Sequence, residues 1–125
     1  MNYLIVFIGA GIGGALRHAV NSVTLRLLGP NFPWWTLAIN VIGSLLMGLV
    51  AGYFAMRGGA GQAWRLFLTT GVLGGFTTFS AFSLDTAMLY ERGAIGQVAF
   101  YVLGSVILSI GAVFAGLAIV RSGVG

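Results

Sequence analysis

One apolar stretch of the chain carries an interruption, at residues 71–80, which read GVLGGFTTFS. Glycine loses much backbone entropy when it enters a helix, and threonine is restricted at χ1. Paired glycine followed by paired threonine is therefore poor helix sequence. We predict that the third of four apolar helices is broken near its middle, between about Gly74 and Thr78. A continuous helix with a glycine packing patch is the alternative.

The apolar sequence around this stretch divides into four segments, at about residues 2–28, 34–56, 62–90 and 94–120. Prolines, glycines or charged residues separate them, and Pro30 and Pro33 stop the first because proline cannot continue a helix. Each segment exceeds the roughly 20 residues that a helix needs to cross a bilayer core. The sequence predicts an all-α membrane protein with one domain over residues 1–125 and the lipid bilayer as its solvent.

The composition agrees with this fold class and excludes others. The chain is 58% hydrophobic and 6% charged, whereas a soluble domain carries roughly 25% charged residues. The six arginines occur singly near the ends of apolar segments, which indicates interface anchors and no nucleic-acid partner. One histidine, no cysteine and two carboxylates cannot assemble an acid/base pair or a side-chain metal site within one chain. We therefore expect that the protein is not an enzyme.

The arginines are nearly balanced between the two sides of the membrane. With four spans, one side carries three arginines and the other two: Arg57, Arg65 and Arg121 against Arg26 and Arg92. Orientation follows the Lys/Arg excess in short loops, so the chain can insert either way up. An antiparallel homodimer is the natural assembly of such a chain. An orientation set by Arg17 is the alternative.

Polar side chains inside the spans mark a candidate pathway, because they are costly in lipid. Tyr101, Ser105 and Ser109 recur every four residues and share one face of the fourth helix, and Asn40 lies in the second. Hydroxyl and amide donors without a buried carboxylate suit an anion that has shed its water. The alternatives are an interhelical hydrogen bond for Asn40, and back-bonding to the preceding turn for Ser105 and Ser109.

Aromatic and basic residues add to this pattern. Phe76, Phe79 and Phe82 recur every three residues, and the positive edge of an aromatic ring can stabilise a small anion. An aromatic stripe at this spacing is also typical of a helix core. Arg17 lies in the second half of the first span, where it either attracts anions or extends to the headgroups. His18 is interpreted as an interfacial side chain.

Three motifs together resemble one known family. They are GGFTTFSAFS at residues 74–83, GGALR at 13–17 and NVIGS at 40–44. The chain is similar, over all four spans, to the Fluc (CrcB) family of bacterial fluoride channels. The first motif is specific, whereas the other two are weak alone.

The resemblance implies a dual-topology antiparallel homodimer with two pores in the bacterial inner membrane, which passively lets fluoride leave the cell and relieves its toxicity. It implies pore roles for one amide, two phenylalanines and a nearby hydroxyl: Asn40, Phe79, Phe82 and Ser80. A polar track would comprise Tyr101, Ser105 and Ser109, with Arg17 near the pore entrance. The carbonyls of Gly74 and Thr77, from both subunits, would hold a structural sodium ion on the dimer axis. Val113 continues the spacing of the track but is apolar, which departs from some relatives.

Two other functions remain open. A small exporter that moves cationic drugs against protons needs a carboxylate at mid-depth, but Glu91 lies at a span end and Asp85 about a turn and a half inside it. A scaffold protein would need only the glycine-rich packing, and would leave the polar and aromatic residues without a role.

Overall fold

A computed structural model describes residues 2–57, 61–77 and 79–124. Within these residues every regular element is a helix. Helix α1 spans Asn2–Leu28 and α2 spans Trp34–Arg57. The third apolar stretch begins as α3 (Gln62–Arg65), continues as a π-helix (Leu66–Leu73) and ends as α4 (Gly74–Phe76). Helix α5 spans Phe79–Glu91 and α6 spans Ile95–Val124. Residues 58–60 of the predicted second loop, and Thr78 at the predicted break, lie outside the described residues.

Four helical stretches are long and apolar enough to cross a membrane: Asn2–Leu28, Trp34–Ala55, Gln62–Glu91 and Ile95–Gly123. The prediction of an all-α chain with four membrane-crossing helices is confirmed, and the chain is a multi-pass membrane protein. Helix α6 continues to Val124, beyond the predicted end at residue 120, because no proline interrupts that region.

Two glycines with positive φ end helices at the same side of the molecule. Gly29 (φ 81°) follows α1 and Gly93 (φ 79°) follows α5, and both adopt the left-handed conformation that closes a helix C-terminus. The Arg92 guanidinium donates a hydrogen bond of 2.7 Å to the Asn31 carbonyl oxygen. This bond joins the loop after α1 to the loop after α5, as a four-span chain requires.

The third stretch differs from a regular α-helix in two ways. Its π-helical segment, Leu66–Leu73, was not predicted from the sequence. Such segments occur mostly as short insertions into α-helices and often at functional sites. Thr77, directly after α4, has an extended backbone with φ −91° and ψ 157°. Its amide still donates to the Leu73 carbonyl oxygen at 3.0 Å, so the helical bonding of this stretch reaches Thr77.

Glycine allows the helices to pack at close range. Gly13 of α1 lies against the backbone at Val72, and a β-carbon there would overlap the Val72 carbonyl oxygen. Gly48 of α2 and Gly116 of α6 meet each other's helix backbone in the same way. Lipid provides no hydrophobic force between helices, so the close van der Waals packing that small residues allow must hold such crossings together. The result is one pair formed by α2 and α6, and a second formed by α1 and the third stretch.

Helix α5 has few contacts with the rest of the chain. It contacts α6 and, at few residues, α2. Leu89 is its one fully buried side chain, and it belongs to a small core with Phe32 and Tyr101. The position of α5 therefore depends on a small number of contacts.

Candidate functional site

A cleft of about 330 Å³ lies between α2, α5 and α6. Helix α2 contributes one face to it, from Asn40 through Gly43 and Ser44 to Met47. These positions are three, four and seven residues apart, so the helical repeat brings them onto one side. Thr77 lies at the cleft wall, where the third stretch leaves its helical conformation. The remaining walls come from α5 and α6.

Helix α6 contributes two serine hydroxyls that find no partner in the described part of the chain. Ser105 and Ser109 line the cleft, and neither Oγ atom makes a hydrogen bond within the described residues, although both atoms are buried. The hydroxyls of the third stretch and of α5 behave differently, since Thr69, Ser83 and Thr86 donate to a carbonyl oxygen four residues earlier at 2.7–3.0 Å. Neither Ser105 nor Ser109 therefore bonds back to a carbonyl oxygen of the preceding turn, which was the alternative considered for them. Both hydroxyls are available to donate to a bound acceptor.

Two phenylalanines of α5 form the aromatic wall of the cleft. Phe79 and Phe82 both line it, with ring centroids 5.5 Å apart and planes tilted by 43°. Phe79 is 77% exposed, although it lies at the cleft. Because the chain spans a membrane, this bare ring faces either lipid or a second protein surface.

Tyr101 does not line the cleft. Its side chain is completely buried, and the centroid of its ring lies 5.0 Å from that of Phe82. Its hydroxyl donates to Asp85 Oδ2 at 3.1 Å, and the Thr36 hydroxyl donates to the same oxygen at 2.6 Å. The sequence placed Tyr101 on one face with Ser105 and Ser109, but here Tyr101 supports the aromatic wall from behind. Its role in a pore stays a prediction.

The other predicted site residues lie around the cleft. Ser80 is exposed on α5 and Arg17 is half-buried on α1, and neither is among the residues that line the cleft. Gly74 is exposed, and Thr77 is half-buried with its hydroxyl bonded to the Leu73 carbonyl oxygen at 3.0 Å. Within the described residues there is no cluster of three or more His, Asp or Glu side chains that could bind a metal. A cation near Gly74 and Thr77 would need backbone oxygens as ligands.

Several residues at or behind the cleft were not predicted as site residues. Gly43, Met47 and Val106 line it, and so does Ser44, whose spacing of four from Asn40 was the available signal. Val113 lines the cleft one helical turn after Ser109, so this end of the cleft is apolar. The Thr36 and Asp85 pair, 49 positions apart, had no signal in the sequence.

Comparisons with known proteins agree in pointing to one family. A family model described as "CrcB-like protein, Camphor Resistance (CrcB)" matches residues 4–117. The chain is 63% identical to "Fluoride-specific ion channel FluC 2" of Nitrobacter hamburgensis, over 97% of this chain and 98% of that protein. It is 62% identical to "Fluoride-specific ion channel FluC" of Rhodopseudomonas palustris, over 98% of each chain. The protein with the same name from Methylobacterium nodulans is 61% identical, over 97% of each chain.

Proposed function

Because the chain belongs to the CrcB-like family, we propose that it is a fluoride-specific ion channel that passively exports fluoride from the bacterial cytoplasm and so relieves its toxicity. Relatives that are more than 60% identical over nearly the whole chain carry the name of a fluoride-specific channel. Membership of this family also confirms that the protein is not an enzyme.

The single observation that carries the proposal is the pair of unpartnered hydroxyls in the cleft. Ser105 and Ser109 each present a buried oxygen whose proton has no acceptor in the described part of the chain. Fluoride is a small, strongly hydrated anion, and it leaves water only where donors replace its hydration shell. No carboxylate is among the residues that line the cleft, so no fixed negative charge there repels it.

The aromatic wall and the start of α5 add favourable charge. The edges of Phe79 and Phe82 carry partial positive charge, and they can face an anion without binding it so tightly that it cannot leave. Phe79 is also the first residue of the 13-residue helix α5. The N-terminus of a helix carries partial positive charge, because the peptide dipoles of the helix align.

The proposal includes a break in the third span at Thr77. Its extended backbone, between the end of α4 at Phe76 and the start of α5 at Phe79, supports this. A break at membrane depth is tolerated where it lines a cavity, and Thr77 lies at the cleft wall. The break would point the N-terminus of α5 at the path of the anion. It would point the C-terminus of the preceding helix at a cation.

We further propose that the working unit is a dual-topology antiparallel homodimer with two pores. The few contacts of α5 within the chain support it, because a second copy would add contacts along the exposed face of this helix, where Phe79 lies. The near balance of arginines between the two sides of the membrane allows one chain to insert in either orientation. Arg17 would then lie near a pore entrance and concentrate anions there.

A structural sodium ion at the dimer axis completes the proposal. Backbone carbonyl oxygens are suitable ligands for a hard cation, and a helix that ends at Phe76 leaves the carbonyls of its last turn without helical partners. Gly74 is exposed, which suits a position shared between two chains. Gly74 and Thr77 would supply oxygens from each copy, and the ion would neutralise the partial negative charge of the two helix ends.

Flux from liposomes distinguishes this function from its rivals. Purified protein reconstituted with internal fluoride should release it without a proton gradient, and release should be electrically coupled to a potassium leak. Proton-driven uptake of an organic cation would instead indicate the exporter, and absence of any flux the scaffold. The exporter is disfavoured because Asp85 is not among the residues that line the cleft and accepts hydrogen bonds from Thr36 and Tyr101.

A further inference from the structure

Helix α5 carries both phenylalanines of the cleft but has few contacts with the rest of the chain. The hydroxyls of Ser83 and Thr86 on α5 bond within the helix and do not attach it to its neighbours. The orientation of the aromatic wall must therefore depend on the side chains through which α5 meets α2 and α6.

One carboxylate oxygen joins these three helices. Asp85 of α5 accepts hydrogen bonds on Oδ2 from the Thr36 hydroxyl of α2, at 2.6 Å, and from the Tyr101 hydroxyl of α6, at 3.1 Å. Thr36 is 2% exposed and Tyr101 is not exposed at all. Both donors are therefore shielded from water, although Asp85 itself is half-buried, and a buried donor that loses its acceptor is costly.

The Tyr101 ring transmits this attachment to the cleft. One side of the ring lies 5.0 Å from Phe82, and the edge-on ring of Phe32 lies 5.5 Å from it at 90°. Phe32 is buried as well, in the loop that precedes α2. Asp85 thus holds the hydroxyl of Tyr101, and Phe32 packs against its ring. Because the Tyr101 ring is fixed in this way, the ring of Phe82 packs against it in one orientation.

We propose that Thr36 is a positioning residue of the channel, which sets the orientation of Phe82 through Asp85 and Tyr101 without touching the permeating ion. This inference rests on the proposed function. When the Thr36 hydroxyl is removed, Asp85 keeps the Tyr101 hydroxyl as a donor, and α5 loses the hydrogen bond that it accepts from Thr36 of α2. The Phe82 ring then samples several orientations, and its edge faces the anion for only part of the time.

The test compares Thr36→Val, which keeps the shape and removes the hydroxyl, with Thr36→Ser, which keeps the hydroxyl. Thr69→Val is the matched control, because the Thr69 hydroxyl donates to the Arg65 carbonyl oxygen four residues earlier in the third stretch and to no other helix. Each protein carries 4-fluorophenylalanine at position 82 for ¹⁹F NMR, and the same proteins without the label are assayed for fluoride and chloride flux in liposomes.

We expect Thr36→Val to split or broaden the resonance at position 82. Fluoride flux should fall by about tenfold, the upper end of the usual effect of losing one hydrogen bond. The ratio of fluoride to chloride flux should fall as well. Thr36→Ser and Thr69→Val should match the unsubstituted protein in both readouts. Tyr101→Phe, which removes the other donor and keeps the ring, should give the same spectral change as Thr36→Val and serves if that variant does not fold.

An unchanged spectrum in Thr36→Val, or in Tyr101→Phe where that variant replaces it, overturns the proposal, as does a change that Thr36→Ser does not rescue. The two proposals fail separately. If the unsubstituted protein conducts no fluoride, the proposed function is wrong, whereas the spectrum still decides whether Thr36 orients the ring of Phe82.

Discussion

Gly43 of α2 lies directly against the side chain of Thr77, and a β-carbon at position 43 would overlap the Thr77 methyl carbon. The same β-carbon would lie 3.3 Å from the Phe76 ring. The absence of a side chain at position 43 thus makes room for the residue at which the third stretch leaves its helical conformation. Three residues earlier on the same face, Asn40 lines the cleft.

We therefore expect Gly43→Ala to displace Thr77 and disturb the cleft. Overpacking at such a contact costs about 1–3 kcal/mol, so fluoride flux should fall by about tenfold or more. Liposome efflux measures the effect. Gly96→Ala is the control, because a β-carbon at position 96 meets no atom within 4 Å, and it should leave flux unchanged. Equal flux in both variants would contradict the role assigned to Gly43.

Replacing a ring of the aromatic wall should abolish conduction while the protein stays assembled. Phe79→Ile and Phe82→Ile keep an apolar side chain but remove the positive ring edge, and we expect fluoride flux to fall by about a hundredfold, the effect of roughly 2–3 kcal/mol of lost anion stabilisation. Size-exclusion chromatography should show an unchanged assembly. Phe114→Ile, at an exposed position of α6 away from the cleft lining, is the control. Full flux in both cleft variants would remove the aromatic account.

For the two unpartnered serines, we predict that removal of the hydroxyl lowers conduction without lowering stability. Ser105→Ala and Ser109→Ala each remove a buried hydroxyl that has no partner within the described residues, so thermal stability should stay equal or rise slightly. Fluoride flux should fall by about tenfold for each, because the permeating anion loses one donor.

A thermal melt and an efflux assay on the same preparations measure both quantities. Ser122→Ala, near the exposed end of α6, should change neither. A loss of stability that accompanies the loss of flux would mean that the serine hydroxyls serve packing and not permeation.

Removal of sodium tests the proposed cation. N-methylglucamine is too large for a cage of backbone carbonyls, so its exchange for sodium should leave four oxygens facing one another, two from each copy. We expect the melting temperature of the dimer to fall by a few degrees, as for any ligand that binds only the folded state. A titration with sodium should restore it. If the melting temperature does not depend on sodium while the dimer stays intact, no exchangeable sodium ion supports it.

The four spans and the candidate faces could be predicted because their signals are local. Hydropathy over about 20 residues, together with Pro30, Pro33 and Gly93, determines where each helix begins and ends. The helical repeat alone puts Ser105 and Ser109 on one face, and both line the cleft. The helical repeat, however, gives only the direction of a side chain around the helix axis and not what covers it. Tyr101 lies on the same face as the two serines, but Phe82 and Phe32 cover it.

What the tertiary structure decided is which distant residues meet. No pattern in the sequence joins Thr36 to Asp85, or Gly43 to Thr77, because such pairs depend on how α2 crosses α5 and the third stretch. The sequence does not predict the π-helix over Leu66–Leu73 either, because its apolar residues suit an α-helix equally well. The chain's own residues thus determined four membrane helices and their polar faces, through hydropathy and helical periodicity. Close packing in three dimensions decided which hydroxyls stay free in the cleft and which ones hold its wall.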